Sequence, residues 1–333
     1  MCRSSMYTER ATNWSWTKIK MKILSRDQIE KILPDLDLMP EIEGAFQAYS
    51  EGRAVVPPVG ELLLDKGEVH IKYGYVKQHP HYVIKIASGF YEDPAMEHIS
   101  SNGMMLLFSQ QSGKAVCALL DEGLLTNIRT ALAGAIAAKY LAPKQVDKIG
   151  MVGAGTQARL QLRYLKEVTS CRKAMVWGTS PEELDSYRLD MEKEGFHIES
   201  SEDIGAIQKE CRLIVTTTPS LSPLLHSDQL QKGTHITAVG SDTPDKQELD
   251  PEILAKADLV VADSIEQCLL RGEIHHAIKA GQVEKNQILE LGNVISGSTR
   301  GRDSMDEVTV ADLTGVAVQD MAIAEAVYKA SRA

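Results

Sequence analysis

No two of the five cysteines, Cys2, Cys117, Cys171, Cys211 and Cys268, stand at C-x-x-C spacing, and their number is odd. That excludes a disulfide framework; free thiols suit a reducing compartment, so a cytoplasmic location is expected. No stretch approaches the roughly eighteen uncharged apolar residues of a membrane-spanning helix, so no membrane partner is expected. A net charge of -10, without a basic stripe interleaved with aromatics, speaks against a nucleic-acid partner. The histidines form no metal constellation, because His79-Pro80-His81 and His275-His276 lack carboxylate or thiol partners at ligand spacing; no metal is expected. A G-x-S-x-G elbow and a Cys/His nucleophile pairing are also missing, as are internal repeats.

What is present is the composition of a globular protein, 43% hydrophobic and 25% charged, in a 333-residue chain long enough for two domains. Residues 1–20 read as an appended segment. They carry Arg3, Arg10, Lys18 and Lys20 against one acid, Glu9, which suits a transit peptide, an upstream start or a loose tail. From Met21 a short strand and a Ser25-capped helix open the first domain. A helix around Pro40 to Ser50 and a Pro57-Pro58 break precede short strands at Glu61 to Leu64, Val69 to Tyr75, Tyr82 to Ala87, Met104 to Phe108 and Ala115 to Leu120. This is an antiparallel pattern with no phosphate-binding loop, a substrate or assembly domain.

The Ala-rich segment Leu124 to Leu141 predicts a connecting helix. Beyond it, apolar strands at Ile149 to Val152, Ala174 to Trp177, Leu213 to Thr216, His235 to Val239 and Leu259 to Ala262 alternate with helices. The fold class is therefore α/β, with a doubly wound parallel sheet, and a final helix over Val316 to Ser331. Gly153-Ala154-Gly155-Thr156-Gln157-Ala158 follows the first of these strands and opens a helix, which is where a dinucleotide pyrophosphate binds. Gly153 permits the tight turn, Gly155 a close backbone approach, and Ala158 close packing of helix on sheet. NAD or NADP is thus the expected cofactor. After the second strand the chain reads Gly178-Thr179-Ser180, with no acid for a ribose and no arginine for a 2'-phosphate. Thr179 and Ser180, with Arg188 or Lys193 nearby, suit a 2'-phosphate, and Glu182 suits hydroxyls, so the choice of dinucleotide stays open.

Ligands of such sheets gather beyond the carboxyl ends of the strands. Two segments end there: Val215-Thr216-Thr217-Thr218-Pro219, and Val239-Gly240-Ser241-Asp242, which brings a carboxylate to the expected nicotinamide. Asp242 is the catalytic candidate, a capping aspartate the alternative. Lys85 interrupts an apolar strand, and either meets a substrate anion or reaches solvent from an edge. Arg129, in the apolar connecting helix, either lines an interdomain cleft or completes a structural ion pair.

The segments Val83-Ile-Lys85-Ile, Leu124-Leu-Thr-Asn-Ile-Arg129-Thr-Ala, Gly153-Ala-Gly155-Thr-Gln157-Ala, Val215-Thr-Thr-Thr-Pro-Ser220, Ala238-Val-Gly-Ser-Asp242-Thr-Pro-Asp-Lys246-Gln-Glu-Leu249 and Val310-Ala-Asp-Leu-Thr314-Gly-Val-Ala-Val-Gln-Asp320 together resemble the ornithine cyclodeaminase/mu-crystallin family. The resemblance implies a Rossmann domain over 126–311 and a substrate-binding and dimerisation domain over 21–125 with 312–333, paired as a homodimer. It implies that Arg53, Lys85 and Arg129 surround a substrate carboxylate, with Arg129 also near the cofactor. Asp242 becomes the acid/base, with Lys85 beside it in the catalytic group. Ser100, Thr156, Gln157, Thr216, Lys246 and Leu313 fall on cofactor-lining positions and Thr314 on a substrate-lining one. The segment Gly240-Ser241-Asp242-Thr-Pro-Asp245-Lys246 departs from the cyclodeaminase pattern and is closer to the family's imine reductases. The function implied is reduction of small imino acids, cyclic or acyclic, to L-amino acids. Ornithine cyclisation, an alanine-type dehydrogenation and a non-catalytic mu-crystallin-like binding role are the alternatives.

Overall fold

Two sheets organise the chain, and each is explained by its sequence period. In the computed structural model the described residues are 21–90 and 100–332, with only the backbone of residues 100 and 101. The appended segment 1–20 and the Ser100 side chain therefore lie outside the described residues.

The first sheet contains β1 (Lys22–Ser25), β2 (Ala54–Val55), β3 (Gly60–Leu64), β4 (Gly67–Val76), β5 (His81–Phe90), β6 (Ser100–Ser109) and β7 (Ala115–Leu120). Its order is β1-β7-β6-β5-β4-β2, with β3 also on β4, and only the β1–β7 pair is parallel. Strands β4 to β6 run ten residues each, beyond their apolar cores, because the ladder continues from Tyr75↔Tyr82 to Gly67↔Phe90. Alternation gives the sheet two unlike faces. Val76, Val83, Met105 and Leu107 are buried beneath helices Leu38–Ser50 and Ala317–Ala330. On the other face Leu62, Leu64, Tyr73, Tyr75, Phe90 and Met104 stay exposed.

The second sheet is all parallel. Its strands are β8 (Ile149–Val152), β9 (Lys173–Trp177), β10 (His197–Ser201), β11 (Leu213–Thr216), β13 (His235–Ala238), β15 (Leu259–Ala262), β16 (Ile288–Glu290) and β17 (Thr309–Asp312), while β12 (Leu221–Leu225) and β14 (Gln247–Leu249) form a separate pair. The order β10-β9-β8-β11-β13-β17-β15-β16 reverses direction between β8 and β11, the switch point where ligands bind. Sequence period missed β10, β16 and β17. β10 is half polar, β17 has polar Thr309 and Asp312 at its two ends, and β16 holds only three residues. β17 nonetheless sits fully buried between β13 and β15.

Helix Leu124–Leu141 joins the halves, packing against helices Leu38–Ser50, Thr156–Leu165 and Ala317–Ala330 and against β13 and β17. Gly134 is needed there, because a Cβ would stand 1.9 Å from Gln161 Oε1. No described helix is long and apolar enough to cross a membrane.

Candidate active site

The glycine turn is a consequence of crowding at the end of β8. Gly153 has φ +108°, and a Cβ there would lie 2.7 Å from Thr217 Oγ1. Above Gly155, by contrast, a Cβ would meet nothing within 4 Å, and the ten-residue helix it opens has no side-chain cap. Thr156 and Gln157 form the first turn of that helix, leaving backbone donors and a positive dipole end before an open space. A pyrophosphate fits this cradle.

At the tip of β9 the expectation for Ser180 needs correction. Its hydroxyl caps the next helix, accepting from Glu183 N at 3.2 Å and donating to Glu182 Oε2 at 2.9 Å, so it is not free for a 2'-phosphate. Arg188 is tied to Asp185 at 3.1 Å and Lys193 to Asp190 at 3.5 Å. Thr179 stays at the strand tip beside the acids Glu182 and Glu183.

Beyond the strand ends lies a cavity of about 330 Å³ between the sheets. Lys85, Arg129, Gln157, Val239, Gly240, Asp242, Lys246, Leu313 and Thr314 all line it. Thr216 and Ser241, expected at these strand ends, do not reach it with their side chains. Thr216 is fully buried and donates to Glu248 Oε2 at 2.7 Å; its neighbours Thr217, Thr218 and Pro219 line the cavity instead. Ser241 is buried too, its hydroxyl spent on the carbonyl of Lys246 within the turn. The Thr314 hydroxyl donates to Asp263 at 3.1 Å, which holds that loop at the rim.

The larger correction concerns the cations. Arg53 lines a different cavity, with Pro40, His79 and Lys329, and is half exposed against Glu51 at 2.6 Å. It precedes β2, and among the lining residues of its cavity are Val76 and Val83 but not Lys85. The third cation is Lys72, which sequence reading passed over. Its signal was the alternation Glu68, His70, Lys72, Gly74 along β4, readable only once Lys72 is paired with Lys85 across the ladder.

Lys85 and Arg129 share one buried acid from the carboxyl-terminal helix: Lys85 Nζ lies 3.1 Å from Asp320 Oδ2, and Arg129 Nε 2.9 Å from Oδ1. Lys72 Nζ donates to the carbonyls of Thr314 at 3.1 Å and Gly315 at 2.7 Å. Burial, reinforced by the Arg129 charge, depresses Lys85 to about 7 and Lys72 to about 8. Burial pushes Asp320 up, but Arg129 and the two lysines outweigh it and hold the acid below the usual carboxylate range. Across the cavity Asp242 bonds Lys246 Nζ at 2.7 Å and is 47% exposed. Desolvation raises its pKa, and the Lys246 charge more than offsets that, so Asp242 is ionised at neutral pH. With both lysines protonated, the state an incoming anion favours, four cations (Lys72, Lys85, Arg129 and Lys246) face three carboxylates (Glu68, Asp242 and Asp320). One positive charge is left for a ligand anion. Among the described residues no group of three His, Cys, Asp or Glu side chains is placed to hold a metal.

Residues 19–333 match the ornithine cyclodeaminase/mu-crystallin family. The chain belongs to that family. An uncharacterized cyclodeaminase of Sinorhizobium fredii is 42% identical over 317 residues, covering 93% of this chain and 95% of its own. Among solved structures, an archaeal alanine dehydrogenase dimer with bound NAD superposes with TM-score 0.86 at 32% identity, covering 94% of this chain and 96% of its own. The pyrroline-2-carboxylate reductase of Thermococcus litoralis, in complex with NADH and L-proline, gives 0.88 at 28% identity and 94% and 98% coverage. The cations and Asp242, far apart in sequence, line one cavity because the β4–β5 ladder and the strand ends of the parallel sheet face each other across it.

Proposed function

We propose that this family member is an NADH-dependent reductase of small imino acids with one carboxylate and an uncharged side chain. The observation that carries the reading is the single positive charge left over in the cavity opposite Asp242. A monocarboxylate balances it. A diamino acid, the substrate of a cyclodeaminase, would bring a second ammonium beside Lys72 and Lys85. The unit formed by 21–125 with 312–333 holds the substrate, and 126–311 holds the dinucleotide.

A dinucleotide held by the Gly153–Gly155 turn and the first turn at Thr156 and Gln157 would supply a hydride to the C=N carbon. Lys72, Lys85 and Arg129 orient the substrate carboxylate, which fixes the carbon in line for transfer. Asp242 accepts a hydrogen bond from the protonated imine nitrogen, keeping the carbon electrophilic, and passes protons from water to the nitrogen as the amine forms. Its half exposure connects it to solvent. On the adenosine side, the first turn of the helix after the strand tip carries Glu182 and Glu183 and no cation, which favours NADH over NADPH.

The test is an absorbance assay of NADH and NADPH oxidation with cyclic and acyclic imino acids, run beside ornithine plus NAD with ammonia detection and alanine plus NAD. Imine-dependent NADH oxidation, at least about tenfold more efficient than with NADPH, is expected; each tenfold is about 1.4 kcal/mol. Ammonia from ornithine without net NADH would favour the cyclodeaminase, NADH from alanine the dehydrogenase, and inactivity throughout the binding-protein reading. A pH profile adds a sign. In the free enzyme Lys85 and Lys72 lose their protons near 7 and 8, so kcat/KM is expected to fall as pH rises through that interval. A flat alkaline limb for a carboxylate substrate would refute their role.

The exposed face of the first sheet supports a homodimer. Leu62, Leu64, Tyr73, Tyr75, Phe90 and Met104 form a contiguous apolar surface, and a second copy would offer the same surface across a two-fold axis. Light scattering is expected to give a dimer mass, and Tyr73→Glu with Met104→Glu a monomer. A monomeric parent protein would overturn the proposal.

A further inference from the structure

Glu248 sits in β14, fully buried, and takes no part in the site described above except as a partner of Thr216. Its two oxygens accept four hydrogen bonds. Oε1 receives the backbone N–H of Thr218 at 2.6 Å and the Thr218 hydroxyl at 2.7 Å. Oε2 receives the Thr216 hydroxyl at 2.7 Å and the backbone N–H of Gly240 at 3.0 Å. The donors come from two turns that end different strands, β11 and β13, and both turns line the cavity.

The turns are also in closest approach at this point. A Cβ on Gly240 would fall 2.2 Å from Thr218 O, 2.5 Å from Thr218 N and 2.7 Å from Glu248 Oε2. Glu248 is itself held from behind. Its own N–H donates to Glu273 Oε1 at 2.8 Å, and that of Leu249 to Glu273 Oε2 at 3.1 Å. Two residues earlier, Lys246 holds the Asp242 carboxylate. The segment Lys246–Leu249, β14 and the residue before it, thus secures both the turn that carries Asp242 and the turn beside it.

We propose that Glu248 is the positioning residue of this site: its carboxylate fastens the turn at Thr217–Pro219 to the turn at Gly240–Asp242, keeping Asp242 in one fixed relation to the nicotinamide position. The proposal rests on the reductase reading for its kinetic consequence, though not for its structural one. A carboxylate is required because each oxygen takes one backbone N–H. Hydroxyls can rotate to become acceptors, but backbone N–H groups cannot. Glutamine at this position has the right shape and only one accepting oxygen, so whichever way its amide turns, either Thr218 N–H or Gly240 N–H is left facing another N–H.

The experiment compares parent, Glu248→Gln and Gly240→Ala proteins by hydrogen exchange and by steady-state kinetics. In both variants, exchange is expected to quicken at least about tenfold in peptides covering 216–219 and 239–246 and to stay unchanged in β8 and β9. With an imine substrate, kcat is expected to fall about 10²-fold, the loss typical of a misplacement of about 1 Å. NADH affinity of Glu248→Gln, measured by fluorescence, falls by less than kcat does, because Glu248 holds none of the backbone donors at the helix end Gly155–Gln157. The isotope effect with deuterated NADH rises as hydride transfer becomes limiting. A purely structural role would speed exchange evenly and leave kcat per folded molecule intact, and that outcome overturns the proposal, as does parental behaviour of either variant. Should Glu248→Gln fail to fold, Gly240→Ala carries the same test with the carboxylate in place. If the parent protein reduces no imine, the reductase reading falls while the exchange result still decides the role of Glu248.

Discussion

Asp242→Asn is expected to slow turnover by about 10²–10⁴-fold while leaving NADH affinity near that of the parent, the usual contribution of a positioned acid or base. Asparagine keeps the size and one acceptor oxygen of the side chain. It loses the charge that stabilises a protonated imine and the capacity to carry a proton. The Asp242 carboxylate bonds the Lys246 ammonium at 2.7 Å, a side-chain partner, as befits a functional carboxylate better than a helix cap. Its 47% exposure is the route by which protons arrive. Single-turnover measurement of hydride transfer with an imino acid separates this step from product release. Turnover at the parental rate in Asp242→Asn would remove the residue from the mechanism.

Asp320→Asn is expected to cost about 3–5 kcal/mol of folding stability, the penalty for removing one partner of a buried charge group. Asp320 is 1% exposed and is the shared counter-charge of Lys85 and Arg129, themselves 2% and 5% exposed. Without it those two, with Lys72 nearby, repel one another in a site that water cannot screen. The proton linkage has a definite sign. Because the folded state holds Asp320 below the usual carboxylate range, its contribution is complete at neutral pH and is lost only in strong acid. A bound carboxylate replaces part of the missing charge, so the monocarboxylate amino acid that the imine assay identifies as product, at about 100 times its dissociation constant, is expected to restore about 2.7 kcal/mol. Denaturant unfolding of the variant with and without that amino acid checks both statements, and an unfolding midpoint equal to the parent's would show that Asp320 is not the counter-charge.

The parts of the fold that were legible in the sequence are those with a period or a special backbone need. Alternation along β4 to β7 and apolar runs at β8, β9, β11, β13 and β15 were readable, as was the Gly153 turn, whose left-handed φ few other residues adopt. Strands β16 and β17 were not, since β16 holds three residues and β17 has polar Thr309 and Asp312 at its two ends, leaving two apolar residues between them. Ser180 shows the limit on single polar residues. A serine before proline at a strand tip suits a ligand or a cap equally, and only the 3.2 Å bond from Glu183 N decides for the cap.

The sequence by itself determined the class of protein: a dinucleotide turn in strand-to-helix context, a substrate-binding half, a lysine and an arginine in apolar segments, and an aspartate after a central strand. These follow from local rules, which act over a few residues and survive without knowledge of pairing. Only the tertiary structure decided which cations share the cavity. Lys72 and Lys85 meet because β4 and β5 pair in one register, and Asp320 joins them because the last helix packs back on that sheet. Arg53, nearer in sequence to Lys72 than Asp320 is, faces another cavity. Charge balance in a buried site is set by distances of a few ångströms between residues hundreds of positions apart, and no local pattern encodes those distances.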